Sequence, residues 1–412
     1  MWGRGASVET YLDQTFRLGD SGAAVSEIAG LLHGLGLLDD HPREVFDADI
    51  EEAVRAFQQQ RGLLVDGQVG PGTYRRLHET RWHLGDRILI FRAGDLMVGD
   101  DVYQLQRRLL DLGFAIGRVD GYFGVETSTG LTDFQRNYGL VTDGTCGPET
   151  LKALTRLSPM VQGGAPNAMR AESRIRAAGP NLSDKVIVID ISRAHNLPDA
   201  HSETSDIIVK DLAQRIAGRF GATGVSAYLT TSSFGSADLQ EERERARFAN
   251  ELRADLLIAI ALDYSENPEA KGISAYFFGD TNHDTWSTTG EKLAGLIQRE
   301  IVARTGMTNL RSHAKTWDLL RMTRMPAMWM DIGYVSSSAD MARLQDASQR
   351  DLIAEAIVVA TQRFYLTPEE DEETGRLNYA DIKAKLREFP AQVGPGDPSS
   401  GDPSSGESAL GD

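Results

Sequence analysis

The chain has 412 residues, 41% of them hydrophobic, and a formal net charge of −17 from 43 Lys and Arg against 60 Asp and Glu. That length implies two to four domains, and the acidic balance argues against nucleic acid or an anionic membrane surface as the main partner. The single cysteine, Cys146, excludes an intramolecular disulfide framework. No apolar signal-peptide core opens the chain and no later run approaches a membrane span, so a cytoplasmic location is expected.

In chain order, residues 15–80 and 94–157 read as one unit written twice. At one constant spacing Val25 falls on Val102, Leu35-Gly36 on Leu112-Gly113, Phe57-Gln58 on Phe134-Gln135, and Gly62-Leu63 on Gly139-Leu140. Self-similarity with no net insertion marks a duplicated domain. VSEIAGLLHGLGLL and VYQLQRRLLDLGF carry apolar residues at three- and four-residue spacing and stop at Gly, which predicts helices. AVRAFQQQRGL and GLTDFQRNYGL predict second helices. Asp-Gly turns follow, and Pro71 and Pro148 open short third helices.

The shared FQxxxGLxxDGxxGxxT pattern resembles the peptidoglycan-binding type 1 domain, a three-helix module found beside cell-wall hydrolases. Asp66, Gly67, Asp143 and Gly144 are its candidate ligand-binding positions; fold-making turns are the alternative reading of the same residues. The second copy also keeps Val119-Asp120-Gly121-Tyr122-Phe123-Gly124, where the first has Arg43-Glu44 in place of Asp-Gly.

Residues 158–184 are rich in Gly, Pro and Ser and read as an interdomain linker with one short helix. From 185 to 366 strands and helices alternate, the mark of an α/β sheet with crossover helices. The β-branched run Val186 to Ile189 reads as a buried strand of a parallel sheet, closed by Asp190. Further strands are expected over 225–231, 255–262, 273–278 and 327–335, and helices over 206–220, 239–252, 287–305 and 351–365. In such sheets ligands bind beyond the carboxyl ends of the strands, so chemistry should begin at Asp190.

Val188-Ile189-Asp190, Tyr228-Leu229-Thr230, Arg245 with Ala249-Asn250, Ala254-Asp255-Leu256, and Pro326-Ala327 leading to Asp331-Ile332-Gly333-Tyr334 resemble the amidase_3 family, over residues 185–365. These are zinc-dependent N-acetylmuramoyl-L-alanine amidases. The resemblance implies zinc on His, Glu and His, with a catalytic Glu on the last strand. Here those positions hold Arg193, Ser205, Ala261 and Asp331, and an arginine of the family falls on Thr231. Arginine cannot deprotonate to bind a metal and alanine donates nothing. Asp331 is one methylene short, and a misplacement of about 1 Å can cost roughly 100-fold. No zinc and no activated water are therefore expected, which argues against an enzyme. A rearranged zinc site on His195, His201 and Glu203, close together in RAHNLPDAHSE, is the alternative. Arg193 either pairs with Asp331 or Asp190 or stands as a surface arginine; His313 reads as structural.

The tail, 367–412, is acidic and flexible by composition, with a short helix from Tyr379 to Phe389 and a disordered end. Thr374 follows an acidic run and precedes Leu377, a setting that suits bacterial Ser/Thr kinases. The fold expected is thus multidomain: two small α-helical bundle repeats, an α/β amidase_3-like domain and a disordered C-terminal tail. This whole layout resembles the CwlM-like family of actinobacterial regulators of peptidoglycan synthesis. The resemblance implies a cytoplasmic pseudoenzyme, phosphorylated on Thr374 by a PknB-type kinase and then stimulating MurA. An FHA-domain protein and the flippase MurJ are the further partners it implies. Two other readings stay open: a zinc-dependent amidase acting in cell-wall turnover, and a sensor that binds peptidoglycan or precursor fragments.

Overall fold

A computed structural model describes residues 14–40, 42–157, 166–230, 241–267, 269–280, 285–367, 371 and 373–382. The first module is α1 (Ala23–Gly34), α2 (Ala48–Gln60) and α3 (Pro71–Glu79). The Asp47 side chain caps α2 by accepting from the Ile50 N–H, and Pro71 opens α3 where no N–H is needed. Val25, Ile28, Leu32, Phe46, Val54, Phe57, Tyr74 and Leu77 form its core. The second module repeats the plan with α4 (Asp100–Asp111), α5 (Val125–Asn137) and α6 (Pro148–Arg156). Its core reaches back to Leu89, ahead of the expected start at 94, because Leu89 pairs with Cys146 in a short antiparallel bridge. The linker contributes α7 (Pro166–Ala177).

The α/β domain runs β1 (Val186–Ile191), α8 (Asp199–Gly221), β2 (Ser226–Leu229), α9 (Glu242–Glu251), β3 (Leu256–Asp263), β4 (Ile273–Asp280) and β5 (Thr285–Trp286). It continues with α10 (Thr288–Thr305), β6 (Asn309–Lys315), α11 (Asp318–Met322), β7 (Ala327–Tyr334), α12 (Ser338–Gln345) and α13 (Ala347–Tyr365). Strand order is β2-β1-β3-β7-β4-β5, with β6 paired to β4. The sheet is mixed rather than parallel throughout: β2, β1, β3 and β7 run parallel, and β4 runs antiparallel to β7.

Period-two alternation sorts the strands' side chains. Ile187, Ile189, Ile258, Ile260, Met328 and Met330 share a core with residues of α8, α10 and α13. Val188, Leu257, Ala259, Ala261 and Trp329 face the other way, packing with residues of α9 and α11. Burial on both faces explains why β1 and β3 read as continuous apolar runs.

The modules are fastened to this domain by a buried ionic hub. Arg321 of α11 is 0% exposed and donates Nη1 to both Glu79 carboxylate oxygens, at 3.1 and 2.9 Å. Its Nε reaches the Asp120 carbonyl at 2.6 Å, and its guanidinium lies 5.1 Å from the Tyr103 ring centre and 4.6 Å from that of Tyr122. Arg76 joins Glu79 at 2.6 Å to Asp280 at 3.3 Å. Arg75 pairs with Asp318 at 3.2 Å, and Arg61 ties the two modules together through Asp100 at 2.6 Å. Among the described residues no helix is long and apolar enough to cross a membrane.

Candidate functional site

The family's zinc positions fall just after β1, on α8 and on β3, and its catalytic position on β7. Asp190 closes β1 fully buried, and its charge is met by Arg245 of α9 at 2.9 Å and by the Ser192 hydroxyl. Arg193 turns outward instead: its side chain is 51% exposed and pairs with Asp206 at 2.6 Å. The expected pairing of Arg193 with Asp331 or Asp190 is therefore not formed. Asp190 already has its cation in Arg245, and α8 offers Arg193 a carboxylate on the solvent side. Ser205 lies buried on α8, with no hydrogen-bond partner for its hydroxyl among the described residues. Ala261 is fully buried and stands beside Asp331 in the β3–β7 register. Asp331 accepts the Trp329 indole N–H at 2.8 Å. Burial, reinforced by Asp263, pushes its carboxyl up to about 7.

The alternative metal set is dispersed. His195 lies against two indoles, its ring centre 4.6 Å from that of Trp317 and 5.4 Å from that of Trp329. Its Nε2 meets Glu242 at 2.7 Å, and Glu242 also accepts the Leu319 N–H at 2.9 Å. Burial opposes the imidazolium, but Glu242 outweighs it and raises the His195 pKa. Burial likewise opposes the Glu242 carboxylate, yet His195 holds it down at about 2. His195 and Glu242 thus each favour the charged form of the other. The stretch expected as a loop is helical from Asp199, so His201 and Glu203 ride on the start of α8. His201 stacks on Tyr264 with centres 5.4 Å apart, and Glu203 is exposed. Among the described residues no group of three or more His, Cys, Asp or Glu is arranged to hold a metal ion. The donors do not fit zinc: Arg193 carries a fixed positive charge, Ala261 has no donor atom, and Asp331 already accepts from Trp329. Thr231 lies outside the described residues. His313 bonds the Leu310 carbonyl at 2.7 Å on β6.

In the modules, Asp66-Gly67 and Asp143-Gly144 are each clipped by a buried glutamine. Gln58 donates to Asp66 Oδ1 at 2.7 Å, the Gln68 carbonyl at 2.8 Å and Thr73 Oγ1 at 3.2 Å, and accepts the Gly67 N–H at 2.9 Å. Gln135 does the same for Asp143 at 2.8 Å, the Thr145 carbonyl at 3.0 Å, Thr150 at 3.1 Å and the Gly144 N–H at 2.8 Å. A third clip joins Gln106 to Asp120 at 2.9 Å, the Tyr122 carbonyl at 3.0 Å, Thr127 at 3.0 Å and the Gly121 N–H at 2.8 Å. Oδ1 of each aspartate also accepts a backbone N–H two residues on, so this oxygen is spent inside the turn. Gly67 and Gly144 have φ of +76 and +67°, and a Cβ there would meet Arg55 Nε at 2.8 Å or Ser128 Oγ at 2.9 Å. A Gln eight residues before Asp-Gly is the signal in the sequence for two of the three clips.

Thr374 is half-buried, and Arg363 Nη1 donates to its hydroxyl at 3.0 Å. The stretch expected to be flexible from 367 is seated on the domain at 371 and 373–382; the rest of the helix expected to reach Phe389 lies outside the described residues. A separate cleft of about 1580 Å³ opens between the second module, α7 and α9, with Arg174, Arg243, Arg247 and Arg324 among its lining.

The N-acetylmuramoyl-L-alanine amidase family (Amidase_3) matches residues 187–363, and the putative peptidoglycan binding domain matches 21–77 and 98–154. N-acetylmuramoyl-L-alanine amidase CwlM of Mycobacterium tuberculosis is 44% identical over 385 residues, covering 89% of this chain and 94% of that protein. N-acetylmuramoyl-L-alanine amidase LytC of Bacillus subtilis is 24% identical over 155 residues, covering 38% of this chain and 30% of LytC. Among solved structures, an N-acetylmuramoyl-L-alanine amidase from Clostridium difficile 630 matches at 21% identity and a TM-score of 0.38, covering 43% of this chain and 95% of that one. By its two peptidoglycan-binding repeats, its α/β domain and its end-to-end similarity to CwlM, the chain belongs to the Amidase_3 family of N-acetylmuramoyl-L-alanine amidases and shares the CwlM architecture.

Proposed function

We propose that the chain is a non-catalytic regulator of peptidoglycan precursor synthesis that stimulates MurA once its tail is phosphorylated at Thr374. The observation that carries this reading is the donor set at the family's zinc positions. Arg193, Ser205 and Ala261 cannot supply the three ligands that leave a fourth position for activated water. The hub around Arg321 also supports it, because modules and domain present one continuous body, as a scaffold requires. Under this reading a PknB-type kinase modifies the tail, and an FHA-domain protein and MurJ are further partners. Recognition of a phosphothreonine by an arginine-lined surface is the general chemistry involved.

A second reading, a zinc-dependent N-acetylmuramoyl-L-alanine amidase, draws on the name carried by the CwlM relative. One experiment separates the two. Chain purified without chelator is analysed for zinc, assayed for muropeptide turnover, and added with and without kinase treatment to a MurA assay. The regulatory reading expects no stoichiometric zinc, no turnover, and faster MurA only with phosphorylated chain. Stoichiometric zinc with turnover would replace it by the amidase. Muropeptide binding with no effect on MurA would make the chain a sensor.

A further inference from the structure

The tail meets the domain at one buried charge cluster. Glu300 of α10 is 0% exposed and is held by Arg363 of α13 at 2.6 Å and Arg304 at 3.1 Å. A carboxylate so far from water needs such partners. Other donors of the two arginines go to the tail. Arg363 binds the Asp371 carboxylate at 2.7 and 3.0 Å and the Thr374 hydroxyl at 3.0 Å, while Arg304 donates to the Leu377 carbonyl at 2.5 Å. The Gly375 N–H points at both Glu300 oxygens from 3.3 Å. Beyond the cluster, Leu377 and Ile382 are buried against Val359 and Leu366. The Tyr379 hydroxyl donates to the Arg219 carbonyl at 2.8 Å.

We propose that this cluster is a charge-gated latch: Arg363 and Arg304 hold the tail closed on α10 and α13, and a phosphate on Thr374 opens it and uncovers the apolar seat at Val359 and Leu366. The phosphate itself rests on the reading given above; the latch rests on the geometry. In the closed state two guanidinium groups balance two carboxylates, Glu300 and Asp371. A phosphate adds about −1.5 to −2 of charge beside them. Arg363 is already committed to Glu300 and Asp371, so it could serve the phosphate only by giving up one of them, and Glu300 has no route to water. The tail can leave, taking both Asp371 and the phosphate into solvent, so the tail gives way. The device converts one modification into an exposed apolar strip on the α10–α13 face.

Hydrogen exchange on the full chain tests this, with phosphothreonine inserted at 374 during synthesis so that no kinase is needed. Amides of 373–382 should exchange about tenfold faster or more, the loss expected when charge-assisted bonds open, while β3 and β7 stay protected. Asp371→Asn and Leu377→Ser, changes confined to the tail, should release the same amides without phosphate. Unchanged or slower exchange in the phosphothreonine chain overturns the latch, as does full protection in both tail variants. MurA rates on the same samples separate the two ideas. Release without stimulation removes the regulatory reading and leaves the latch; stimulation without release does the reverse.

Discussion

Replacing Arg321 tests whether modules and domain behave as one body. The side chain is wholly buried, and its main carboxylate partner, Glu79, sits between it and Arg76. Arg321→Met keeps much of the aliphatic volume that packs on Tyr103 and Tyr122 but removes every donor. Glu79 then keeps only Arg76, and the Asp120 carbonyl loses its bond. Breaking one side of a buried pair costs about 3–5 kcal/mol; since Arg76 remains, the lower end of that range, about 3 kcal/mol, is expected. This is roughly a hundredfold in the constant for opening the interface. Hydrogen exchange over α3 and α11, read beside urea unfolding, measures it. Arg321→Met/Glu79→Gln should recover most of the loss, because no uncompensated charge stays behind. A cost below about 1 kcal/mol for the single change, the level of an exposed pair, would show that the hub does not hold the modules.

Three further outcomes follow from other parts of the molecule. The Asp331 carboxyl is raised from 3.8 to about 7, so the folded state binds a proton more tightly than the unfolded one, and stability falls as pH rises through that window. Asp331→Asn should therefore be more stable than the parent at pH 8, match it near pH 4, and flatten the curve of melting temperature against pH between them. His195 is raised above its ordinary 6.5, so its pairing with Glu242 contributes fully below that value and is lost as pH climbs through the folded pKa; His195→Gln should remove this alkaline loss. Gln135→Ala deletes a clip of four buried bonds and should cost the second module about 2–4 kcal/mol by calorimetry. If Asp143 served a ligand instead, Asp143→Asn would weaken muropeptide binding while leaving that melting transition in place.

Local signals made much of this architecture legible. The duplication, the Gly-ended helices and the apolar runs of β1, β3 and β7 carry their periodicity in neighbouring residues. So did the loss of zinc donors, since Arg193 and Ala261 need no structure to be recognised as poor ligands. Sequence carries no such signal where partners are distant or a segment is polar. β6, NLRSHAK, has a single strand partner and no apolar run, so it did not read as a strand. DAHSETS reads as loop by composition, yet it opens with Asp199 in the first turn, which is favourable at a helix start. The Arg245–Asp190 pair, the Glu242–His195 pair with its two indoles, and the Glu300–Arg363–Asp371 cluster join residues far apart in sequence. No local pattern announces such contacts.

The glutamine clip occurs three times across two modules, twice in the second and once in the first. Where the second module has Gln106, Asp120, Gly121 and Thr127, the first has Ala29, Arg43, Glu44 and Ile50. Its entry loop is braced by ions instead, with Arg43 reaching Asp47 at 2.6 Å and Asp49 at 2.9 Å. An amide clip inside a turn is indifferent to ionic strength, whereas a brace at the surface is screened by it. Two copies of one unit thus answer differently to the same solvent: rising salt should loosen the mouth of the first and leave that of the second shut.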